Sequence, residues 1–326
     1  MRVKETLTAE NPEDNLPLVL GKSIMNSMEQ GHSANFMNAY RDHWWNTGFL
    51  NDMAGRLNLG QKSSLLDVGC GQCHWSKVLL PYLADHPVIR AVDNDEHWIA
   101  QREALAAYFT AGEADFFMQQ ADASQLPFDN NSFDLVTCQT LLIHVEYPEE
   151  VITEMKRVLK PNGVILCAEP NNRVQQLIRT SLTKETSIDE VLDHVRYALL
   201  YEEGKKVLGQ GDNSIGDLLP GLIVEAGFED IEVRLSDKAI AMYPPYGRKD
   251  QVATLQQWAA GDHISATGTD ERDYFQTMGP ESLAFYEAYH AKYMNQLDEL
   301  LNALEEKAYH SGGGALMYVV SAKKCT

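Results

Sequence analysis

The chain has 326 residues, 44% of them hydrophobic, and a formal charge of 27 − 47 = −20. That size allows one large core with additions or two domains; the acidic balance, with basic residues clustered only in pairs such as Lys205-Lys206, argues against nucleic-acid or anionic-membrane binding. Five cysteines are few and odd in number, no stretch reads as a signal peptide and no apolar run reaches ~18 residues, so a soluble, cytoplasmic protein without a disulfide scaffold is expected.

Residues 1 to about 20 are polar, and a helical pattern rich in aromatics runs from 23 to 59. From 64 to 170, short β-rich runs alternate with helical stretches. "SLLDVGC", "VIRAVD", "DFFMQQAD", "FDLVTCQT" and "GVILCAEP" read as strands; 74–84, 95–110 and "PEEVITEMKRVLK" read as helices. Such alternation with short links predicts a parallel sheet covered on both faces. Lys160-Pro161-Asn162-Gly163 reads as a turn, Pro stopping the helix and Gly supplying a permissive backbone. Residues 171 to 212 look helical, with a capping-box spacing at Ser187 and Glu190. "IGDLLPGLIVEAGF" predicts a helix ending at Gly227, and "EDIEVRLSDKAIAMY" a long strand region. A second helical stretch covers 247 to 310, where Tyr286, Tyr289, Tyr293, Leu297, Leu300 and Leu304 recur at three-to-four spacing as a packing face. "ALMYVVSAKK" is the last strand.

"LLDVGCGQCHW", 65 to 75, carries the chemistry. A strand, a G-x-G turn at Gly69 and Gly71, and a helix place backbone N–H groups beside a ligand at the carboxyl ends of the strands. The dinucleotide fingerprint G-x-G-x-x-G has its third glycine where this chain has His74, which counts against a nicotinamide oxidoreductase. The strand also ends in an acid, Asp67, which would repel a pyrophosphate but can accept from an ammonium group. Cys70 and Cys73 form C-x-x-C, yet no second ligand pair for zinc and no thioredoxin-like context accompanies them, so no metal site is expected.

"LLDVGCG", "AVDND", "ADASQLPFDNNSFDLV", "LLIHVEYPEEVITEMKRVLKPNGVIL" and "GLIVEAGFEDIEV", in this order, resemble successive motifs of the class I S-adenosylmethionine (SAM) dependent methyltransferases. The resemblance covers about 60–236 and the last strand, and is closest to the small-molecule enzymes of the type-11-like domain. It departs at Cys73, where the family has a third glycine. It implies SAM as cofactor. Gly69, Cys70 and Gly71 then flank the methionine portion, and Asp67 stands near its ammonium. Asp93, helped by Asn94, suits the ribose diol with two carboxylate oxygens. Asp122 and the Ala123 N–H face the adenine; Gln139 lies where the family contacts the cofactor by backbone. Arg41, from the N-terminal helices with Tyr40, Trp44 and Trp45, is placed to pair with the cofactor carboxylate.

No catalytic base is legible. His144 falls where many relatives carry a histidine, and His194 and Tyr197 lie with Tyr201 on one helix face that can line a pocket. Glu169, Asn171 and Asn172 end the fifth strand as candidate substrate contacts. "YPPY" at 243 to 246 is similar to the D/N-P-P-Y signature of amino-methylating nucleic-acid enzymes, but it follows the sixth strand and reads as a loop.

The expected fold is α/β: a Rossmann-like, seven-stranded methyltransferase sheet with the last strand antiparallel, plus helical cap insertions. An N-terminal helical segment, 1–59, covers the cofactor cleft. The SAM-binding core takes 60–170, 213–245 and 312–326, and the caps take 171–212 and 246–311. The expected activity is methyl transfer to an O, N or C nucleophile of a small molecule in a capped pocket. No nucleic-acid or membrane partner is expected, and the oligomeric state is not legible. A protein or nucleic-acid methyltransferase with the same core, or a non-catalytic SAM-binding regulator, are the alternatives.

Overall fold

In the computed structural model, which describes residues 39–259 and 270–325, seven strands form one sheet. They are β1 (Ser64–Val68), β2 (Val88–Asp93), β3 (Asp115–Gln120), β4 (Phe133–Gln139), β5 (Leu159–Asn171), β6 (Glu229–Leu235) and β7 (Leu316–Lys323). Their spatial order is β3-β2-β1-β4-β5-β7-β6. The first five pair in parallel; β7 enters antiparallel between β5 and β6, as the sequence predicts. Alternate side chains feed two cores: Leu65, Ile89, Leu135 and Leu166 pack on one face, Leu66, Val92, Val136 and Ile165 on the other. The strand order reverses between β1 and β4, which opens a crevice at their carboxyl ends.

Local chemistry explains the helices. In α5 (Pro148–Val158) a proline opens the first turn, Glu149 and Glu150 face the positive end of the dipole, and Lys156 and Arg157 the negative end. Val151, Ile152, Met155 and Val158 are its buried stripe. Between β1 and β3 lie α2 (His74–Leu79), α3 (Glu96–Ile99) and α4 (Arg102–Ala111); the stretch read as one helix over 95–110 is broken at Ala100 and Gln101. Residues 160–163, read from the sequence as a turn, fall inside β5 at the irregularity in its pairing with β4. Asn162, not Gly163, takes the left-handed conformation (φ 60°), and Gly163 is needed because a Cβ there would stand 2.7 Å from Leu159 Cγ. The long strand region over 229–243 shortens to β6, because pairing with β7 ends at Leu235 opposite Tyr318 and the chain then leaves the sheet edge.

Outside the sheet lie α1 (Thr47–Leu57), α6 (Ile188–Val207), α7 (Leu219–Glu225), α8 (Lys249–Ala259), α9 (Glu271–Thr277) and α10 (Pro280–Glu305). The expected helical stretch from 23 to 38 lies outside the described residues. The capping box on α6 forms as predicted, Ser187 and Glu190 bonding each other's backbones. The α10 face divides its work. Tyr286, Tyr289 and Tyr293 pack with Tyr197 and Phe275, whereas Leu300 and Leu304 pack with Met242, Tyr246 and Tyr309. Helix α6 meets α9 at Gly204, where a Cβ would lie 2.2 Å from the Tyr274 carbonyl oxygen.

Candidate active site

The crevice begins at the turn after β1. Gly69 (φ +66°) is required twice over, since its backbone is left-handed and a Cβ would meet Leu141 Cδ1 at 2.5 Å. Cys73 answers the question of the missing third glycine by adopting the left-handed conformation itself (φ 54°, ψ 32°) as the residue that opens α2. That backbone costs about 1–2 kcal/mol in a non-glycine residue, offset by complete burial of the side chain. Cys70 and Cys73 are buried free thiols, and burial pushes the Cys70 thiol well above its ordinary range.

Three acids stand at successive strand ends. Asp67 is buried and accepts from Ser76 Oγ at 2.5 Å. Asp93 uses both carboxylate oxygens: Oδ2 accepts from the Gly71 N–H at 2.8 Å and Oδ1 from the Asp95 N–H at 3.0 Å. Asp122, exposed just past β3, accepts from the Ser124 N–H and hydroxyl, which hold its carboxyl below the usual range; Ala123 beside it is half-buried. Asn94 is exposed, its carbonyl accepting from Gln120 Nε2 at 2.8 Å. Gln139, at the end of β4, sits 3.4 Å from His74 Nδ1 through Oε1, and its Nε2 is buried without a hydrogen-bond partner among the described residues. Arg41 is buried beside it, donating to Thr140 Oγ1 at 3.3 Å and lying over the Trp44 ring. Burial lowers the Arg41 guanidinium to about 10, still charged at neutral pH.

Glu169, read from the sequence as a substrate contact, has a different task. It is fully buried, and its Oε1 accepts from the Leu141 and Leu142 N–H groups, both at 3.0 Å. It thereby pins the segment that covers Gly69 and carries Thr140 and His144. Asn171 is tied to Asp217 at 2.7 Å; of Glu169, Asn171 and Asn172, only Asn172 lines the cavity.

That cavity, about 650 Å³, opens next to Arg41 and Thr140. Tyr40, Trp44, Trp45, His144, His194, Tyr197 and Tyr201 all line it. Burial lowers the pKa of His194 below its usual value, which favours the neutral imidazole. Tyr197 is also packed among Phe275, Tyr289 and Tyr293. Sequence reasoning missed Lys205, Ser236, Lys238, Trp258 and Glu271, which complete the wall. Lys205, counted above only as half of a basic pair, is buried, donates to the Ile143 carbonyl at 2.9 Å, and is brought to about 8 by desolvation.

Burial raises both Asp67 and Glu169 to about 7, from ordinary values of 3.8 and 4.5. Their protonated forms therefore favour the fold: the contribution is complete below the unfolded pKa and is lost as pH rises through about 7. Asp67→Asn removes the Asp67 share. The melting temperature of the parent chain, measured against that variant, is expected to fall between about pH 4 and about pH 7 and to level off above that. A pH-independent difference would contradict this.

A family profile described as a methyltransferase domain matches residues 66–167. A demethylmenaquinone methyltransferase of Staphylococcus epidermidis is 31% identical over 180 residues, covering 55% of this chain and 73% of its own. Another, from Geobacillus kaustophilus, is 27% identical over 198 residues, covering 56% and 78%. The YcgJ protein of Bacillus subtilis superposes with a TM-score of 0.48 at 14% identity, covering 86% of this chain and all of its own.

Proposed function

This chain belongs to the class I SAM-dependent methyltransferases, and we propose that it methylates an oxygen, nitrogen or carbon nucleophile of a small molecule held in the cavity beside Arg41 and Thr140. The observation that carries this reading is the position of that cavity. It adjoins the segment that packs on the glycine turn, and residues from both the sheet and the outer helices wall it.

The residues present fit the cofactor. Asp93 offers a carboxylate at the turn, and Gln139 offers a buried donor with no partner among the described residues. Arg41 offers a guanidinium to a carboxylate. We assign these three, with Asp67, Gly69, Cys70, Gly71, Asn94, Asp122 and Ala123, to cofactor binding. Bound SAM supplies an electrophilic methyl on a sulfonium, a leaving group that needs no further activation. The protein's share is positioning and, where the acceptor carries a proton, its removal. Two imidazoles line the cavity. His144 is four residues beyond Thr140 on the segment pinned by Glu169, and it is our candidate proton acceptor. His194 and Tyr197 line the helical side and are assigned to the acceptor's binding surface.

The test is S-adenosylhomocysteine release from SAM, with cell extract split by filtration into low-molecular-weight and macromolecular fractions. The low-molecular-weight fraction is expected to support turnover. Turnover confined to the macromolecular fraction would favour a protein or nucleic-acid methyltransferase. Binding of SAM without turnover in either fraction would leave a regulator.

A further inference from the structure

Most charges on the cavity wall have a fixed opposite charge. Lys238 Nζ lies 3.5 Å from Asp250, and Glu202 lies 2.9 Å from Arg173 Nε. Arg41 and Lys205 are both within electrostatic reach of Glu169. Glu271, in the first turn of α9, differs. Among the described residues no lysine or arginine pairs with it; its ion-pair partner is His290, with Nδ1 at 3.7 Å. The segment just before it, 260–269, contains no lysine or arginine.

The surroundings of Glu271 are tyrosines. Tyr197 Oη lies 3.3 Å from Nδ1 of His290, the imidazole that pairs with Glu271, and Tyr197, Tyr201 and Tyr286 all lie within reach of the Glu271 charge. Tyr197, Tyr201, Tyr274 and Tyr293 line the cavity alongside it. A carboxylate taken partly out of water without a strong cation is costly, and burial does raise the Glu271 pKa. Tyrosine faces carry negative potential and lower that cost only when a cation arrives.

We infer that this end of the cavity recognises a cationic ammonium group on the methyl acceptor, with Glu271 as its counter-ion and the tyrosine rings as a cation–π wall. The inference rests on the small-molecule methyltransferase reading above and narrows its substrate class. The ammonium is a handle rather than the methylated atom. Glu271 opens α9, which packs with the tyrosines of α6 and α10, whereas Thr140 and Arg41 meet just past the carboxyl end of β4. The acceptor therefore spans the cavity, its nucleophile toward Thr140 and its cation toward α9.

The probes are choline and its uncharged tert-butyl analogue, titrated calorimetrically into the full chain with and without S-adenosylhomocysteine. Choline is expected to bind at least about tenfold more tightly than the analogue. Glu271→Gln should erase most of that preference while leaving S-adenosylhomocysteine affinity and the thermal transition in place. Tyr293→Leu, which removes one ring face and no charge, should reduce it in part. Equal binding of the two probes, or a preference that survives Glu271→Gln, overturns the inference. A chain that prefers choline but fails to bind S-adenosylhomocysteine keeps the cation site and loses the methyltransferase reading, so the two failures are distinct.

Discussion

Glu169→Ala is expected to destabilise the fold by about 2–5 kcal/mol and to abolish most methyl transfer. The carboxylate side chain is fully buried, and one of its oxygens is the acceptor for two consecutive backbone N–H groups, those of Leu141 and Leu142. Alanine leaves both donors in a dry environment and removes the negative charge that faces the buried guanidinium of Arg41. The functional loss follows from what the pinned segment carries: Leu141 against Gly69, Thr140 against Arg41, and His144 in the cavity wall. Glu169→Gln separates the two effects. Its amide oxygen can still accept from Leu141 and Leu142, and it resembles the protonated acid, which with a pKa of about 7 is about as populated as the carboxylate at neutral pH. It should therefore melt close to the parent chain, while the lost charge weakens the pull on Arg41. Denaturant titrations with turnover assays check both variants; an alanine variant of parental stability would show that the segment holds itself.

The sheet was legible because its signals are local. Each strand is a short apolar run bounded by turn residues, and the order of acid, Gly69, Gly71 and then Asp93 sits within one strand-helix-strand unit. The structure joins Gly71 directly to Asp93 within that unit, a bond the sequence reading had not named. Glu169 was not. On a strand buried on both faces, sequence alone does not separate a side chain that reaches the crevice from one that anchors a neighbouring loop. The outer wall was harder still. Lys205, Ser236, Trp258 and Glu271 are far apart in the chain and meet only where α6, α8, α9 and the end of β6 border one cavity. His194 and Tyr201 share one helix face and were readable as a pair, but nothing in that pattern told core from pocket. At Asn162 the left-handed residue stands beside the glycine that the sequence suggested, and at Cys73 the departure from glycine was legible while its left-handed backbone was not. Both show a non-glycine residue taking a left-handed position where sequence reasoning looks for glycine.

Asp93→Ala is expected to lower SAM affinity by at least about a hundredfold, with a smaller loss of stability. The side chain does two jobs with the same two oxygens. Oδ2 takes the Gly71 N–H and Oδ1 takes the Asp95 N–H, so the carboxylate ties the glycine turn to the end of β2 and starts the turn into α3. Each oxygen has further lone pairs, and a vicinal diol can donate to both at once. Alanine removes the acceptors for the cofactor and releases the glycine turn that shapes its site. Asp93→Asn is the sharper probe. Asparagine keeps one oxygen and puts an NH2 where the second must accept, so it faces either Gly71 or Asp95 donor to donor. It should therefore lose affinity almost as fully as alanine, although it preserves size and polarity. Asp93→Glu retains both oxygens on a longer arm and should recover part of the loss. Calorimetry with SAM and with S-adenosylhomocysteine measures all three variants on the ligand itself. Asparagine binding as tightly as the parent would mean that the carboxylate holds the turn without serving the ribose, and the hydroxyls would then need another acceptor, with Asn94 the nearest candidate in sequence.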